Sequence, residues 1–251
     1  MSAAEERLGN DPESELWGEH RSRYRFACQR LPRSRPSGTP RVLDIACGSG
    51  FGLQMLAEAG ARVVGTDLDP AALSEAHRTA PGAALVRGDA GRLPFASDSF
   101  DLVTSFETLE HVPAPRALIS ELRRVLRHGG RLVLSTPNRE FGPAWLHTGN
   151  PFHVQEFTAA ELRALLAECF EDVRLFGQRP SAAYRYVPYL LVDRHLEPPA
   201  LAWKVMNRLP YRLKNRLALI LGGRAFYPGE ADYCFTPEAW HGTHALVAVA
   251  R

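Results

Sequence analysis

Two glutamates and two histidines are the residues of this chain best suited to chemistry. They are Glu107, Glu110, His111 and His153. Residues three and four apart share one face of a helical turn, so Glu107 is expected near Glu110 and His111. Together with His153 the set would suit Mg²⁺, Mn²⁺ or a later divalent metal. Without a metal, His111 or His153 is the candidate general base, because imidazole titrates near neutral pH. A structural role stays open, in which Glu110 caps the turn or pairs with an arginine and His111 is a packed imidazole.

A strand-to-helix turn rich in glycine offers a second candidate site. Asp44 is followed by Ala46, Gly48, Gly50 and Gly52, and the next helix would present free N–H groups to a ligand. A dinucleotide site favours the spacing G-x-G-x-x-G, and Asp44 would repel a pyrophosphate. The acid instead suits a cofactor with a cationic amine, such as the amino-acid end of S-adenosylmethionine (SAM). A plain tight turn is the alternative interpretation.

Two aspartates follow the next two predicted strands. Asp67 ends the segment Val63-Val64-Gly65-Thr66-Asp67, and its carboxylate is placed to accept both hydroxyls of a ribose. Asp89 ends the third strand and is placed to accept a hydrogen bond from the exocyclic amine of an adenine. The turn and the two aspartates therefore predict a nucleoside site.

Strands that alternate with helices must position these residues. The alternation predicts an α/β fold with a doubly wound, mostly parallel sheet. In such sheets ligands bind at the carboxyl ends of the strands, so the turn, the aspartates and residues 107–111 are expected at one edge. The seven predicted strands are 41–45, 62–66, 84–87, 100–105, 131–136, 172–177 and 245–250.

The chain is expected to have four parts. Residues 1–40 are an N-terminal helical segment with a linker rich in Pro and Ser, and residues 41–177 are the core. Residues 178–242 combine helical segments, prolines and aromatics, and are predicted to form a helical cap over the carboxyl edge, because a structureless loop of that length is improbable. Residues 243–251 are the final strand of the core.

Composition excludes several classes of protein. The chain has 251 residues, 45% of them apolar and 23% charged, and a net charge of +2, which gives no strong attraction to nucleic acid. Its four widely spaced cysteines indicate neither a zinc site nor a disulfide framework. We find no signal-peptide pattern and no apolar stretch of transmembrane length, so the cytoplasm is the expected location.

Taken in order, these motifs resemble the class I SAM-dependent methyltransferases, in particular the methyltransferase type 11 group that includes ubiquinone-biosynthesis O-methyltransferases. The resemblance covers about residues 16–177 and the final strand. It rests on the turn, Asp67, Asp89, the Leu93-Pro94-Phe95 segment and the E-x-x-E-H stretch. It implies a Rossmann-like sheet of seven strands whose last strand is antiparallel.

The resemblance also implies where SAM binds. Its amino-acid end would rest on the turn, its ribose on Asp67 and its adenine near Asp89, and Ala46 replaces the family's first glycine with another small residue. The implied cofactor-binding residues are Arg23, Asp44, Ala46, Gly48, Gly50, Asp67, Leu68, Asp89, Ala90 and Phe106. The E-x-x-E-H stretch with His153 is similar to the metal set of terminal-ribose 2′-O-methyltransferases of small RNA. The stretch alone is similar to quinone-pathway O-methyltransferases.

These features predict a SAM-dependent methyltransferase that modifies a hydroxyl of a small molecule, namely a sugar, glycoside or natural product, with or without Mg²⁺ or Mn²⁺. A quinone or phenol O-methyltransferase and an amino-sugar N-methyltransferase are the alternatives with the same cofactor. From other classes, an NAD-dependent oxidoreductase and a non-catalytic SAM-binding regulator stay open. No nucleic-acid partner and no transmembrane segment are expected, and a homodimer is left open.

Overall fold

Eight strands form one sheet in the part of the chain that the computed structural model describes, namely residues 17–32, 38–141, 152–181, 208–223 and 225–251. In chain order they are β1 (Arg41–Ile45), β2 (Arg62–Asp67), β3 (Ala84–Arg87), β4 (Phe100–Phe106), β5 (Leu126–Pro137), β6 (Val173–Pro180), β7 (Tyr233–Pro237) and β8 (Ala245–Ala250). Their order across the sheet is β3-β2-β1-β4-β5-β8-β6-β7.

The first five strands run parallel, which confirms the predicted α/β fold. The last strand, β8, is antiparallel to both β5 and β6, as predicted. The prediction of seven strands was wrong by one, because β7 pairs antiparallel with β6 at the edge of the sheet. Within β7, Tyr233 is buried and Cys234 is exposed, which is the alternation of a strand rather than of a helix.

Helices cover both faces of this sheet. They are α1 (Trp17–Cys28), α2 (Phe51–Glu58), α3 (Pro70–Thr79), α4 (Pro115–Val125), α5 (Ala159–Ala167) and α6 (Tyr211–Gly222), with 3₁₀ turns at Leu109–His111 and Glu230–Asp232. Buried side chains of α1, α2 and α3 pack around Val42 on one face. Those of α4 and α5 pack around Leu43 on the other face, because successive residues of a strand point to opposite sides.

Local capping signals fix where two helices begin. α3 begins after Asp69, whose carboxylate accepts a hydrogen bond from the Ala71 N–H at 2.9 Å, with Pro70 in the first turn. α5 begins after Thr158, and the T-x-x-E spacing of Thr158 and Glu161 forms the capping box that it predicts. The cap of α3 also sets the path of the chain just beyond β2, next to the candidate site.

The described part of the predicted cap contains α6, a 3₁₀ turn and β7. In the ranges given above, no helix combines the length and the apolar character needed to cross a membrane. Several predicted segments lie outside the described residues, namely residues 1–16, 33–37 of the linker, 142–151 and 182–207 of the cap.

Candidate active site

The glycine-rich turn and Asp67 lie against each other at the carboxyl edge of the sheet. The Gly48 N–H donates a hydrogen bond to Asp67 Oδ2 at 3.0 Å, and the Asp69 N–H donates to Asp67 Oδ1 at 2.9 Å. Both contacts orient the Asp67 side chain, which is 8% exposed at the end of β2. The turn and the strand-end carboxylate therefore form one unit, as the sequence predicts.

Two glycines of the turn have left-handed backbone conformations but different surroundings. Gly50 has φ 84°, and a Cβ there would stand 2.6 Å from the Ala76 Cα, so α2 approaches α3 too closely for a side chain. Gly48 has φ 52°, but a Cβ there would meet no atom within 4 Å. Gly50 thus serves helix packing, whereas Gly48 borders open space that a ligand can fill.

Asp44 lies beneath the turn and is fully buried. Its carboxylate accepts hydrogen bonds from the Tyr24 hydroxyl at 3.0 Å and from Thr104 Oγ1 at 2.6 Å. Burial raises the pKa of Asp44 to about 7, although both hydrogen bonds act to lower it. The side chain joins α1 and β4 to the base of the turn, and its direct contact with a cofactor amine stays a prediction.

The residues predicted for the ribose and adenine lie along the ends of β2 and β3. Leu68 is 59% exposed, and its carbonyl accepts a hydrogen bond from Arg87 Nε at 3.0 Å. Asp89 is exposed, and its Oδ1 accepts a hydrogen bond from the Gly91 N–H at 2.8 Å. Ala90 is half-buried, and Phe106 is buried with its ring edge-on to Tyr24 at 4.8 Å. Leu68 and Asp89 are therefore accessible to a ligand, while the Phe106 ring belongs to the core.

A buried cluster of charges holds Glu107. The Glu107 backbone has φ 48°, an unusual conformation for a residue with a side chain. Its Oε1 accepts a hydrogen bond from Ser135 Oγ at 2.7 Å and lies 3.2 Å from Arg23 Nη1. Arg23 is 1% exposed and also donates to Gln178 Oε1 at 2.7 Å and to Glu19. This cluster joins α1 to the ends of β4, β5 and β6.

Charge compensation lowers the pKa values of both carboxylates that Arg23 contacts. Burial acts to raise the pKa of Glu19, but Arg23 and His244 outweigh it and lower that pKa to about 2. Burial likewise opposes ionisation of Glu107, and the positive charge of Arg23 lowers its pKa below the usual range. Burial and the same arginine lower the pKa of His20 to about 4, so this imidazole is neutral at pH 7.

Glu110 is buried three residues further along, and its pKa is shifted in the opposite direction from that of Glu107. Its Oε2 accepts a hydrogen bond from Thr136 Oγ1 at 3.0 Å, whereas no hydrogen-bond partner is found for Oε1 among the described residues. Burial and the nearby charge of Glu107 raise the pKa of Glu110 well above its usual range. A buried carboxyl oxygen without a hydrogen bond is costly and suggests a partner that binds there.

Two imidazoles lie beside Glu110, with their rings 5.1 Å apart. His111 Nδ1 is 3.0 Å from the Phe152 carbonyl oxygen, and His153 Nδ1 is 2.7 Å from Glu156 Oε1. These oxygens only accept hydrogen bonds, so each Nδ1 carries the proton and each neutral ring has its lone pair at Nε2. Ligand atoms of Glu110, His111 and His153 lie within 4.8 Å of one another.

The structure thus separates the predicted residues into two neighbouring groups. The turn, Asp67, Leu68 and Asp89 form the predicted cofactor side, and Glu110, His111 and His153 form a cluster after β4. Glu107 lies outside that three-residue cluster, because Arg23 and Ser135 hold its carboxylate. Arg23 contacts the side chains of Glu107, Glu19 and Gln178.

Sequence reasoning missed the residues that hold both groups in place. They are Glu19, His20, Tyr24, Thr104, Ser135, Thr136, Gln178 and His244. Only the pair Glu19 and Arg23 has a local signal, namely the spacing of four residues that brings opposite charges together on a helix. The other contacts join residues distant in the sequence, so no local pattern predicts them.

Comparison with known families supports the assignment of the cofactor side. Residues 43–134 match the family model described as a methyltransferase domain. This part of the chain is similar to methyltransferase domains. It runs from β1 to β5 and contains the turn, Asp67, Asp89 and residues 107–111.

Similarity to individual methyltransferases extends over larger and smaller parts of the chain. A protein of Mycolicibacterium smegmatis named a probable S-adenosylmethionine-dependent methyltransferase is 39% identical over 145 residues, which cover 57% of this chain and 56% of that protein. The chain therefore spans little more than half the length of that relative. A demethylmenaquinone methyltransferase of Beutenbergia cavernae is 47% identical over 100 residues, 39% of this chain and 42% of that protein. A crystal structure of a SAM-dependent methyltransferase from Thermotoga maritima covers 93% of this chain and 89% of its own, with a TM-score of 0.59 and 16% identity, and shares the fold.

The segment that matches the methyltransferase model has features that a SAM site needs. The space around Gly48 is open, and Leu68, which follows Asp67 in the sequence, is exposed. Each Asp67 oxygen accepts one backbone hydrogen bond, and a carboxylate has about four acceptor positions, so capacity for ribose hydroxyls remains. The residues present at this edge fit SAM.

Proposed function

We propose that this chain transfers a methyl group from SAM to a hydroxyl of a small molecule, namely a sugar, glycoside or natural product. SAM, when bound, supplies an electrophilic methyl group on a sulfonium. Gly48 and Asp67 would hold it at the ends of β1 and β2, and the acceptor would lie toward the cluster after β4. The observation that carries the proposal is the pair of imidazoles with Nε2 lone pairs beside this edge.

The proposed general base is one of these imidazoles. A sugar hydroxyl is a weak acid, so the enzyme must take its proton as the oxygen attacks the methyl carbon. The Phe152 carbonyl fixes the tautomer of His111, and Glu156 fixes that of His153, so that Nε2 is the atom that accepts the proton in either case. An anionic Glu156 would also stabilise the imidazolium that His153 forms.

A divalent metal would be held by Glu110, His111 and His153. The donors would be two Nε2 lone pairs and a carboxyl oxygen that lacks a hydrogen bond, and this set fits a metal ion. It fits a later divalent ion better than it fits Mg²⁺ or Mn²⁺. The metal would lower the pKa of a bound hydroxyl. The raised pKa of Glu110 means that a metal would compete with a proton there.

Acceptors of other kinds are the alternatives. The relative from Beutenbergia cavernae is named a demethylmenaquinone methyltransferase, which favours a quinone or phenol as the second candidate. An amino sugar would need neither a metal nor a strong base. The two other classes are less well supported, since an NAD-dependent oxidoreductase conflicts with the methyltransferase match and a non-catalytic regulator needs no imidazole cluster.

Methyl transfer from labelled SAM to a panel of acceptors tests this proposal. We expect transfer to glycosides or sugars rather than to catechols, hydroquinones or amino sugars. One of the two variants His111→Gln and His153→Gln removes the general base, and that variant should lower turnover by about 10²–10⁴-fold. His128→Gln, an exposed histidine near the amino end of β5, is the control and should leave turnover unchanged. EDTA decides the metal question, because unchanged turnover without co-purifying metal contradicts metal assistance.

A matched pair of glycine variants tests the cofactor side separately. Gly48 and Gly60 both have positive φ, and a Cβ at either position meets no atom within 4 Å. Gly48→Ala and Gly60→Ala should therefore cost similar stability, about 1–2 kcal/mol. Only Gly48→Ala should weaken SAM binding, by tenfold or more. Equal SAM affinities in the two variants would contradict the placement of SAM on the turn.

A further inference from the structure

Helix α6 carries most of the exposed apolar side chains that the described residues contain. Five large apolar residues are exposed in the described part of the chain. Three of the five lie on this helix, namely Leu213 at 45%, Leu219 at 49% and Ile220 at 69% exposure. Large aliphatic side chains grouped on one element indicate a surface that meets another apolar medium.

The opposite face of α6 fixes its rotation. Lys214 is buried, and its Nζ donates a hydrogen bond to the Tyr227 hydroxyl at 2.7 Å while it lies 5.0 Å from the Phe226 ring centroid. Asn215 Oδ1 accepts a hydrogen bond from the Phe226 N–H at 2.9 Å. The helix thus contacts the segment that follows it through Lys214 and Asn215, and the exposed leucines and isoleucine face away from that segment.

Cationic side chains share the outward face with the apolar ones. Successive residues of a helix are about 100° apart around its axis. Leu213, Arg216 and Ile220 therefore lie within an arc of about 60° around the axis. Arg212 and Leu219 lie within about the next 60° beyond that arc. Arg212 and Arg216 are both exposed. Residues 208–223 contain three arginines and one lysine but no acidic residue, although the whole chain has nearly equal numbers of basic and acidic residues, 30 and 28.

We propose that this face of α6 binds the surface of an anionic lipid bilayer. Leucine and isoleucine side chains enter the boundary between headgroups and acyl chains, while arginines extend to lipid phosphates. Charge complementarity selects this partner. A second copy of the chain would place the same cations opposite each other in a two-fold interface, which is unfavourable. The helix would lie on the bilayer and would place the methyltransferase domain close to it.

Vesicle flotation tests this proposal with the full chain. We expect the protein to bind vesicles of phosphatidylglycerol and phosphatidylcholine at low salt, and to bind pure phosphatidylcholine vesicles at least tenfold more weakly. Arg212→Gln with Arg216→Gln should weaken binding about thirtyfold, at roughly 1 kcal/mol per cation. Leu213→Ser with Ile220→Ser should weaken it at least tenfold. High salt should weaken binding by the wild type.

The control variant loses the same charge elsewhere. Arg78→Gln with Arg116→Gln removes two exposed arginines, of α3 and α4, and should bind vesicles like the wild type. SAM affinity and thermal unfolding, measured on every variant, establish that each one is folded. The proposal is overturned if the wild type does not float with anionic vesicles, or if the control loses as much binding as the α6 variants. It is equally overturned if the wild type forms a dimer that both α6 variants abolish, since the face then binds a second copy.

Discussion

Glu19 and His20 are neighbours in α1 whose pKa values are both lowered, one to about 2 and the other to about 4. For Glu19, contacts with Arg23 and His244 favour the ionised carboxylate although burial opposes it. For His20, burial and the charge of Arg23 favour the neutral imidazole. Acidification therefore works against the folded state at both residues, but over different ranges of pH.

We expect His20 to make the protein less stable as the pH falls from 7 to 5. The unfolded imidazole takes a proton near pH 6.5 and the folded one only near pH 4, so the unfolded state binds more protons in this range. The difference corresponds to about 2 kcal/mol between pH 7 and pH 5. Glu19 contributes only below its ordinary pKa of 4.5, where its stabilisation is lost toward pH 2. Asp44 acts in the opposite direction, because its raised pKa makes the folded state bind more protons below pH 7.

Urea unfolding of the wild type and of His20→Asn at several pH values isolates this contribution. Asp44 has no contribution from His20 and acts equally in both proteins, and Glu19 titrates only below the range from pH 7 to pH 5 that is compared. The free energy of unfolding should fall less steeply in His20→Asn than in the wild type. Parallel curves would show that His20 titrates normally in the folded protein.

Removing the charge of Arg23 should destabilise the fold by about 3–5 kcal/mol. Arg23→Met keeps an apolar side chain of similar length but leaves the buried Glu19 and the partly buried Glu107 without their cation. Arg21→Met is a control on the same helix, because its partner Glu230 and Arg21 itself are about one-third exposed. That change should cost at most about 1 kcal/mol by urea unfolding. Equal effects of the two substitutions would contradict the importance of the buried cluster.

For individual residues, the sequence predicts which side chains lie at the candidate site better than it predicts the side chains that they contact. Gly48 and Asp67 could be placed because both follow strands at the same edge of a parallel sheet. The pairing of Glu107 with Arg23 could not, since it joins β4 to a helix far earlier in the chain. The prediction of Glu107 as a metal ligand beside Glu110 rested on spacing. Spacing carries no information about Arg23, whose guanidinium binds the Glu107 carboxylate instead.

Among the elements, the junction of α2 with α3 leaves no room for a side chain at Gly50. Gly50→Ala would combine a positive φ with a Cβ 2.6 Å from the Ala76 backbone, so α2 or α3 must move. We expect it to cost at least 3 kcal/mol, compared with about 1–2 kcal/mol for Gly60→Ala, which has positive φ but open space. Thermal unfolding of both variants measures the difference. Similar stabilities would show that the two helices can separate without loss.

Elements specified by local patterns could be predicted, and those specified by distant pairing could not. The capping box at Thr158 and the proline at the start of α3 mark helix ends within a few residues. The strand β7 was missed because its partner is β6, more than fifty residues earlier, and its five residues include only two buried or half-buried aromatics, Tyr233 and Phe235. A strand this short is recognised by its pairing, not by its composition.

For the whole molecule, alternating strands and helices were enough to predict the α/β sheet. Strands β1 and β4 are buried along almost their whole length and read as apolar runs, which makes them recognisable as central strands of the sheet. The position of α1 was not predicted. Its buried polar side chains, Glu19 and Arg23, place it over the same edge as Glu107, although a helix with so many charges would ordinarily be expected at the surface.

Calorimetric titration shows whether the turn and Asp67 bind SAM. The purified wild type should bind SAM and not NAD. Asp67→Ala should raise the dissociation constant for SAM by roughly 10- to 100-fold, because it removes charge-assisted hydrogen bonds to the ribose worth about 1.5–3 kcal/mol. Asp172→Ala, which removes an exposed carboxylate, should bind SAM like the wild type. SAM binding that is unchanged by Asp67→Ala, or a wild type that binds NAD and not SAM, would contradict the account.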